Sequence, residues 1–298
     1  MIQVKDIKSI QIVPYTIMMS SISAVLSLIY AIFFIIILSI GAVSSAGANA
    51  SFIVTLIIAL LLLFPTAGFL LSIVQSFLTA LIYNILVPKI GAIKLGFEDL
   101  KEIKNVPVVP FAFMISAISG IIVFIIMLII GPILVLGLQA AALSASAAGT
   151  AIPGLPNFGG MGLIVLSILV IGVPIGMFIL TFISSAIMTI FYNFLAPKIG
   201  GIQFNFGNAI GKFHEIESIP VVSFALITAI VITLFSFLIQ VISLIISIAV
   251  GAAIIPELIS LVTSIVVSLI FGFVIYAITA ALYNYLQPRI GGIKLEIE

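Results

Sequence analysis

The residues best equipped for chemistry recur as a set: Tyr83-Asn84, Tyr192-Asn193 and Tyr283-Asn284, each followed by a proline, a cation (Lys89, Lys198 or Arg289) and a glycine. A phenol, a carboxamide and a cation at fixed spacing can bind an anion or cap a helix, but they contain no acid and base pair for turnover. The structural reading assigns every member. The tyrosine supplies an amphipathic ring at headgroup level, and the asparagine bonds carbonyls freed as a helix ends. Pro88, Pro197 and Pro288 forbid continuation, and Gly91, Gly200 and Gly291 permit a turn with positive φ. The functional reading gathers the nine residues Tyr83, Asn84, Lys89, Tyr192, Asn193, Lys198, Tyr283, Asn284 and Arg289 into a candidate interfacial ring that binds an anionic headgroup or lines a pore mouth.

Other reactive side chains are sparse. The apolar stretches hold Gln75, Gln139 and Gln240 with scattered Ser and Thr, and no carboxylate, histidine or arginine of the kind that proton and ion pumps use. The glutamines occupy different positions relative to the repeated motif, so they are expected to hydrogen-bond between helices rather than to form a filter. His214, the sole histidine, stands in a charged segment and reads as a solvated or salt-bridged surface group. Glu257 follows Pro256 and suits a helix N-terminus. Gly172 and Gly176 make a Gly-x-x-x-Gly step, a signal of close helix approach, and Asn49-Ala50-Ser51 is a glycosylation sequon. Without cysteine the chain has no disulfide framework and no thiolate ligand or nucleophile. No zinc spacing, phosphate loop or nucleophile elbow occurs, so the chain reads as a non-enzyme with no cofactor and no catalytic or metal-binding residues.

The elements that position the motif are membrane spans. A chain 64% hydrophobic and 6% charged, with mean hydropathy +1.53, has too little polar surface to cover a water-soluble core. Its apolar runs predict six spans, near 14–41, 52–86, 110–140, 160–195, 220–250 and 257–286, each longer than the roughly 20 residues a bilayer needs. All ten basic residues fall in the N-terminal segment, the two connectors between repeats and the C-terminus. That bias predicts a multi-pass protein of the cell membrane with both termini cytoplasmic. The run from 12 to 40 exceeds a signal-peptide core of about 7–15 residues, so residues 1–13 are expected to stay with the fold.

Three copies of one unit follow, at 1–98, 99–207 and 208–298. Entry segments align as Val4-Lys5-Asp6-Ile7-Lys8, Leu100-Lys101-Glu102-Ile103-Lys104 and Phe213-His214-Glu215-Ile216-Glu217. They read as strands, with helical turns as the alternative. Each copy ends in alternation, Ile93, Leu95, Phe97, then Ile202, Phe204, Phe206, then Ile293, Leu295, Ile297, which predicts a half-buried strand. Such strands need partners, either the entry segments or one another. Two spans per copy keep all copies in one orientation. The expected fold is therefore an α-helical integral membrane protein of six transmembrane helices in pseudo-threefold arrangement with short cytoplasmic β-strands. Pro65 and Pro174, eighteen positions before the motif tyrosines, should bend the second span of the first two copies, whereas Ile265 stands there in the third.

The Tyr-Asn runs, closing two spans and leading into Gly-Gly-Ile-Lys-Leu-Glu at 291–296, resemble a family of small two-span prokaryotic membrane proteins of unknown function. The resemblance would cover the chain as three tandem copies and implies no activity, but it implies that single-copy relatives assemble as trimers. The expected function is structural or scaffolding: a β cap presented to a cytoplasmic protein partner or to anionic lipid headgroups, with no nucleic-acid partner. The alternative is a channel or facilitator along the pseudo-threefold axis.

Overall fold

A computed structural model describes residues 2–44, 50–147, 162–209, 211–251 and 253–298. Asn49 of the sequon, and most of the connectors expected near 42–51 and 142–159, lie outside the described residues. In chain order the elements are β1 (Ile2–Ile10), α1 (Ile12–Ser44), α2 (Ala50–Ile90), β2 (Ile93–Glu98), β3 (Glu102–Asn105) and α3 (Val108–Ala147). Then come α4 (Gly162–Ser167), a π-helical turn (Ile168–Gly172), α5 (Val173–Ile199), β4 (Asn205–Phe206), β5 (Phe213–Ser218), α6 (Val221–Ala249), α7 (Ile254–Ile290) and β6 (Lys294–Ile297). Six helical stretches among the described residues are long and apolar enough to cross a membrane, α4 through α5 counting as one. The entry segments are strands. The chain forms two compact units, Met1–Pro107 with Ile187–Glu298, and Val108–Ala186.

The first unit contains the whole sheet, in the order β3-β2-β1-β6-β5-β4, antiparallel throughout. Its two ends meet. Glu102 bridges to Gln203, the Ile103 amide donates to the Ile202 carbonyl at 2.9 Å, and the Phe204 amide donates to the Lys101 carbonyl at 2.8 Å. Among the described residues the six strands thus close on themselves, each end strand bonded to the other. Every entry strand lies between the exit strand of its own copy and that of another copy. The turn from β2 to β3 places Asp99 and Leu100 at φ of 52° and 54°, the hand of twist that short hairpins need, although leucine seldom adopts it.

A barrel this small is filled by its own side chains. Ile7, Phe97, Ile103, Ile216 and Ile297 are all buried on the inner face. Phe97 meets Phe206 edge-on at 6.2 Å between centroids, and Phe206 meets Phe204 at 6.0 Å. His214 belongs to this interior and is not the surface group its charged neighbours suggested. Its ring stands edge-on to Phe206 at 6.4 Å, and its Nδ1 is buried without a partner. Alternation accounts for this, since His214 shares a strand face with Ile216.

The prolines at 88, 197 and 288 do not stop their helices. α2, α5 and α7 run on to Ile90, Ile199 and Ile290, two residues past each proline. A proline in a last turn removes one amide donor and is tolerated there because few bonds remain to be lost. Termination falls to Gly91, Gly200 and Gly291, with φ of 91°, 92° and 82°, whose amides bond the carbonyls of Val87, Ala196 and Gln287. Pro65 and Pro174 differ in effect. α2 stays α-helical across Pro65, whereas the π-helical turn immediately precedes the stretch holding Pro174. Such a turn accommodates a break in the hydrogen-bond ladder.

In the second unit, Ser119 and Thr181 hydroxyls meet at 3.4 Å and Phe113 packs edge-on against Phe178. A Cβ on Gly120 would sit 3.3 Å from the Phe178 Cβ, but one on Gly176 would meet nothing within 4 Å. The Gly172/Gly176 step is therefore not a seam of close approach. In the first unit that role falls to Gly68, where a Cβ would collide with the Ser27 side chain. Gln75 is exposed on α2 rather than bonded to a neighbouring helix, and Glu257 lies in the first turn of α7.

Replacing Phe97 by alanine removes a fully buried ring from the barrel interior and should lower unfolding free energy by about 3–5 kcal/mol. Val4→Ala, on an exposed side chain of the same sheet, should change it by less than about 0.5 kcal/mol. Denaturant titration of the detergent-solubilised chain compares the two.

Candidate functional site: a clamp between helix end and strand

Each motif tyrosine performs the same two bonds. The Tyr83 hydroxyl donates to the Ile7 carbonyl at 2.5 Å and accepts from the Ile93 amide at 3.3 Å. Tyr192 donates to Ile103 at 2.5 Å and accepts from Ile202 at 2.9 Å. Tyr283 donates to Ile216 at 2.7 Å and accepts from Ile293 at 3.0 Å. One phenol thus ties the end of the second helix to the entry strand and to the residue that opens or leads into the exit strand. The rings are buried, at 2%, 8% and 2% exposure, so they are not the headgroup-level belt expected of them. A tyrosine satisfies its hydroxyl when buried, and here backbone groups offered both partners.

The neighbouring asparagine completes the clamp. Asn84 Oδ1 accepts from the Ile10 amide and its Nδ2 donates to the Ile10 carbonyl, both at 2.9 Å. Asn193 does the same to Val106 at 2.8 and 2.7 Å, and Asn284 to Ile219 at 2.8 and 2.8 Å. The carboxamide copies a peptide group and pairs with the strand where it leaves the sheet and turns into a helix. These asparagines bond the strand, not the carbonyls freed at their own helix end.

A third contact exists in two copies. Glu102 Oε1 accepts from the Gly201 amide at 2.5 Å, and Glu215 Oε1 accepts from the Gly292 amide at 2.6 Å and from Gln287 Nε2 at 3.1 Å. A Cβ on either glycine would collide with a strand carbonyl, that of Ile103 or Ile216. The first copy has Ala92 in place of the glycine and the shorter Asp6 in place of the glutamate, so side-chain size is exchanged across the contact. Asp6 pairs instead with Lys8 at 3.3 Å. Neither the acid-to-glycine bond nor the aromatic filling of the barrel was anticipated. The matched sizes, Glu with Gly twice and Asp with Ala once, were the available signal.

The cations stand apart from the clamp. Lys89, Lys198 and Arg289 are exposed, and the last two fold back along their helices. Lys198 Nζ lies 3.4 Å from the Phe194 ring centroid, the Arg289 guanidinium lies 3.7 Å from that of Tyr285, and Arg289 Nη1 donates to the Tyr285 carbonyl. The ring expected from sequence therefore divides into six buried or half-buried clamp residues and three exposed cations. Among the described residues no group of His, Cys, Asp and Glu is placed to hold a metal ion. Compared with protein-family models, curated proteins and solved structures, the chain matches none.

Outside the spans, three carboxyls are held below the usual range. Burial pushes Glu102 and Glu215 upward. The Lys104 ammonium and the Gly201 amide outweigh it at Glu102, and the Gly292 amide, Gln287 and Lys294 do so at Glu215. Glu296 is lowered by bonds from Ser9 and Lys212. Lys104 is raised in turn by Glu102, 2.7 Å away.

Tyr283→Phe leaves the Ile216 carbonyl and Ile293 amide unpaired in a buried setting and should cost about 1–3 kcal/mol in denaturant titration. The lowered carboxyls give a second expectation, with the sign fixed by linkage. Their folded forms bind fewer protons than the unfolded chain between the two pKa values. Stability is then complete above the ordinary glutamate value of about 4.3 and lost as pH falls through the lower folded values. A Glu102→Gln/Glu215→Gln variant should show a flatter acid limb in thermal unfolding measured between neutral and strongly acid pH.

Proposed function

We propose that the chain is a non-enzymatic integral membrane protein of scaffolding type. In this reading the three two-span copies circle a pseudo-threefold axis along the membrane normal, and both termini lie in the cytoplasm. The β barrel forms a cap offered to a cytoplasmic partner or to lipid headgroups. The observation that carries the reading is that the repeated tyrosines and asparagines are consumed within the fold, while the barrel interior is filled by Phe97, Phe206 and Ile297. Threefold equivalence is supported by the clamp bonds, which recur in each copy, and by exposure at aligned positions: Val13 65%, Val109 64% and Val222 65%. The orientation is supported by the lysine and arginine bias. The resembled two-span family extends the reading: a single copy would close the same ring as a homotrimer.

A channel along the axis would need free polar groups at its mouth. Asn84, Asn193 and Asn284 have both amide atoms engaged with strand backbone, which weighs against their lining one. Purified chain reconstituted in liposomes should pass ions and small neutral solutes no faster than empty liposomes. Conductance well above that background, abolished by unfolding the protein, would overturn the scaffold reading in favour of transport.

A further inference from the structure

The cations differ in their surroundings. In the strand layer, Lys8, Lys104, Lys212 and Lys294 each lie within 4 Å of a carboxylate: Asp6 and Glu298, Glu98 and Glu102, Glu296, and Glu215 respectively, and Lys5, Lys94 and Lys101 stand among these charged strand residues without an ion pair among the described residues. Lys89, Lys198 and Arg289 at the helix ends have no ion-pair partner among the described residues.

Their surroundings are apolar. One turn before each cation stands an exposed Ile85, Phe194 or Tyr285, and immediately after it an exposed Ile90, Ile199 or Ile290. A charge bracketed along its helix by exposed apolar side chains is suited to the level where hydrocarbon meets headgroups, where a long cationic side chain reaches out of the apolar layer. The ring beneath Lys198 or Arg289 holds the cation against the helix surface. Arg289 spends one of its five donors on the Tyr285 carbonyl and keeps a fork for a second acceptor. The group that reaches this depth and carries negative charge is a lipid phosphate.

We propose that Lys89, Lys198 and Arg289 each bind the phosphate of an anionic phospholipid in the leaflet nearer the β cap. This rests on the membrane reading above and adds a ligand class to it. Net negative lipids are favoured over zwitterionic ones because the latter bring their own ammonium to the phosphate. The three positions differ in strength. Arg289 offers a planar fork over a tyrosine, Lys198 a point charge over a phenylalanine, and Lys89 has an isoleucine at the corresponding place.

The test is native mass spectrometry of the full chain in detergent with equimolar phosphatidylglycerol and phosphatidylcholine. The expected result is several-fold enrichment of phosphatidylglycerol among retained lipids, with up to three retained per chain. Lys89→Gln/Lys198→Gln/Arg289→Gln should bring the ratio back to that of the mixture, whereas Lys94→Gln/Lys101→Gln in the strand layer should leave it enriched. Should the triple variant fail to fold, Lys89→Arg/Lys198→Arg/Arg289→Lys keeps the charge and should keep the enrichment. Equal retention of the two lipids by the wild-type chain, or equal loss in the strand-layer variant, would overturn the proposal. Alkaline extraction of vesicles separates the two levels: release of the chain would defeat the membrane reading, while firm embedding without lipid preference would defeat this inference alone.

Discussion

Backbone groups at the point where a strand becomes an apolar helix have nowhere obvious to find partners, and the rest of this architecture depends on how they are satisfied. The strand has left its ladder there, the helix has not begun to close its own bonds, and adjacent apolar surface excludes water. The chain solves this with two side chains from another helix. Tyrosine takes a carbonyl and an amide, and asparagine takes a further amide and carbonyl three residues on. Because both side chains come from the far end of the second helix of the copy, the same bonds that quiet the junction also set where that helix returns.

The division of labour between contacts is equally plain. Clamp bonds act within a copy, since Tyr83 holds Ile7, Tyr192 holds Ile103 and Tyr283 holds Ile216. Sheet pairing acts within copies through β1 with β2 and β5 with β6, and between copies through β2 with β3, β4 with β5, and β6 with β1. The barrel is thus the hub at which all three copies meet, and its interior is filled mainly by aliphatic and phenylalanine side chains, with the His214 ring among them. Most charged strand residues lie on the outer face, whereas Lys5, opposite Leu95, shares the face of Ile7.

Much of this was legible in the sequence because repetition removes ambiguity. A single Tyr-Asn-x-x-x-Pro is a weak signal, but three copies, each preceded by an apolar run and followed by alternating Ile, Leu and Phe, point to the long apolar helices, the strands and the entry segments together. Roles were harder to read than positions. Pro88 looks like a helix stop, yet one turn of helix tolerates it and Gly91 ends the helix. Tyr83 looks like a headgroup anchor, because sequence reveals an amphipathic ring but not the buried carbonyl within its reach. His214 looks solvated among glutamates, since a strand sends neighbours to opposite faces and charge density along the chain does not reveal which face is inside. Closure of the sheet, which rests on strands far apart in the chain, had no local signature at all.

The pairing of β1 with β6 joins Asp6 to Glu298 by two backbone bonds, amide to carbonyl in each direction, at 2.8 and 3.0 Å. Synthesis makes β1 long before β6. One side of β1 therefore waits unzipped while the intervening helices and strands are made, and sealing of the ring is a contact of very large sequence separation. That free side of β1 acts as a latch, open until a strand almost three hundred residues away in the chain reaches it.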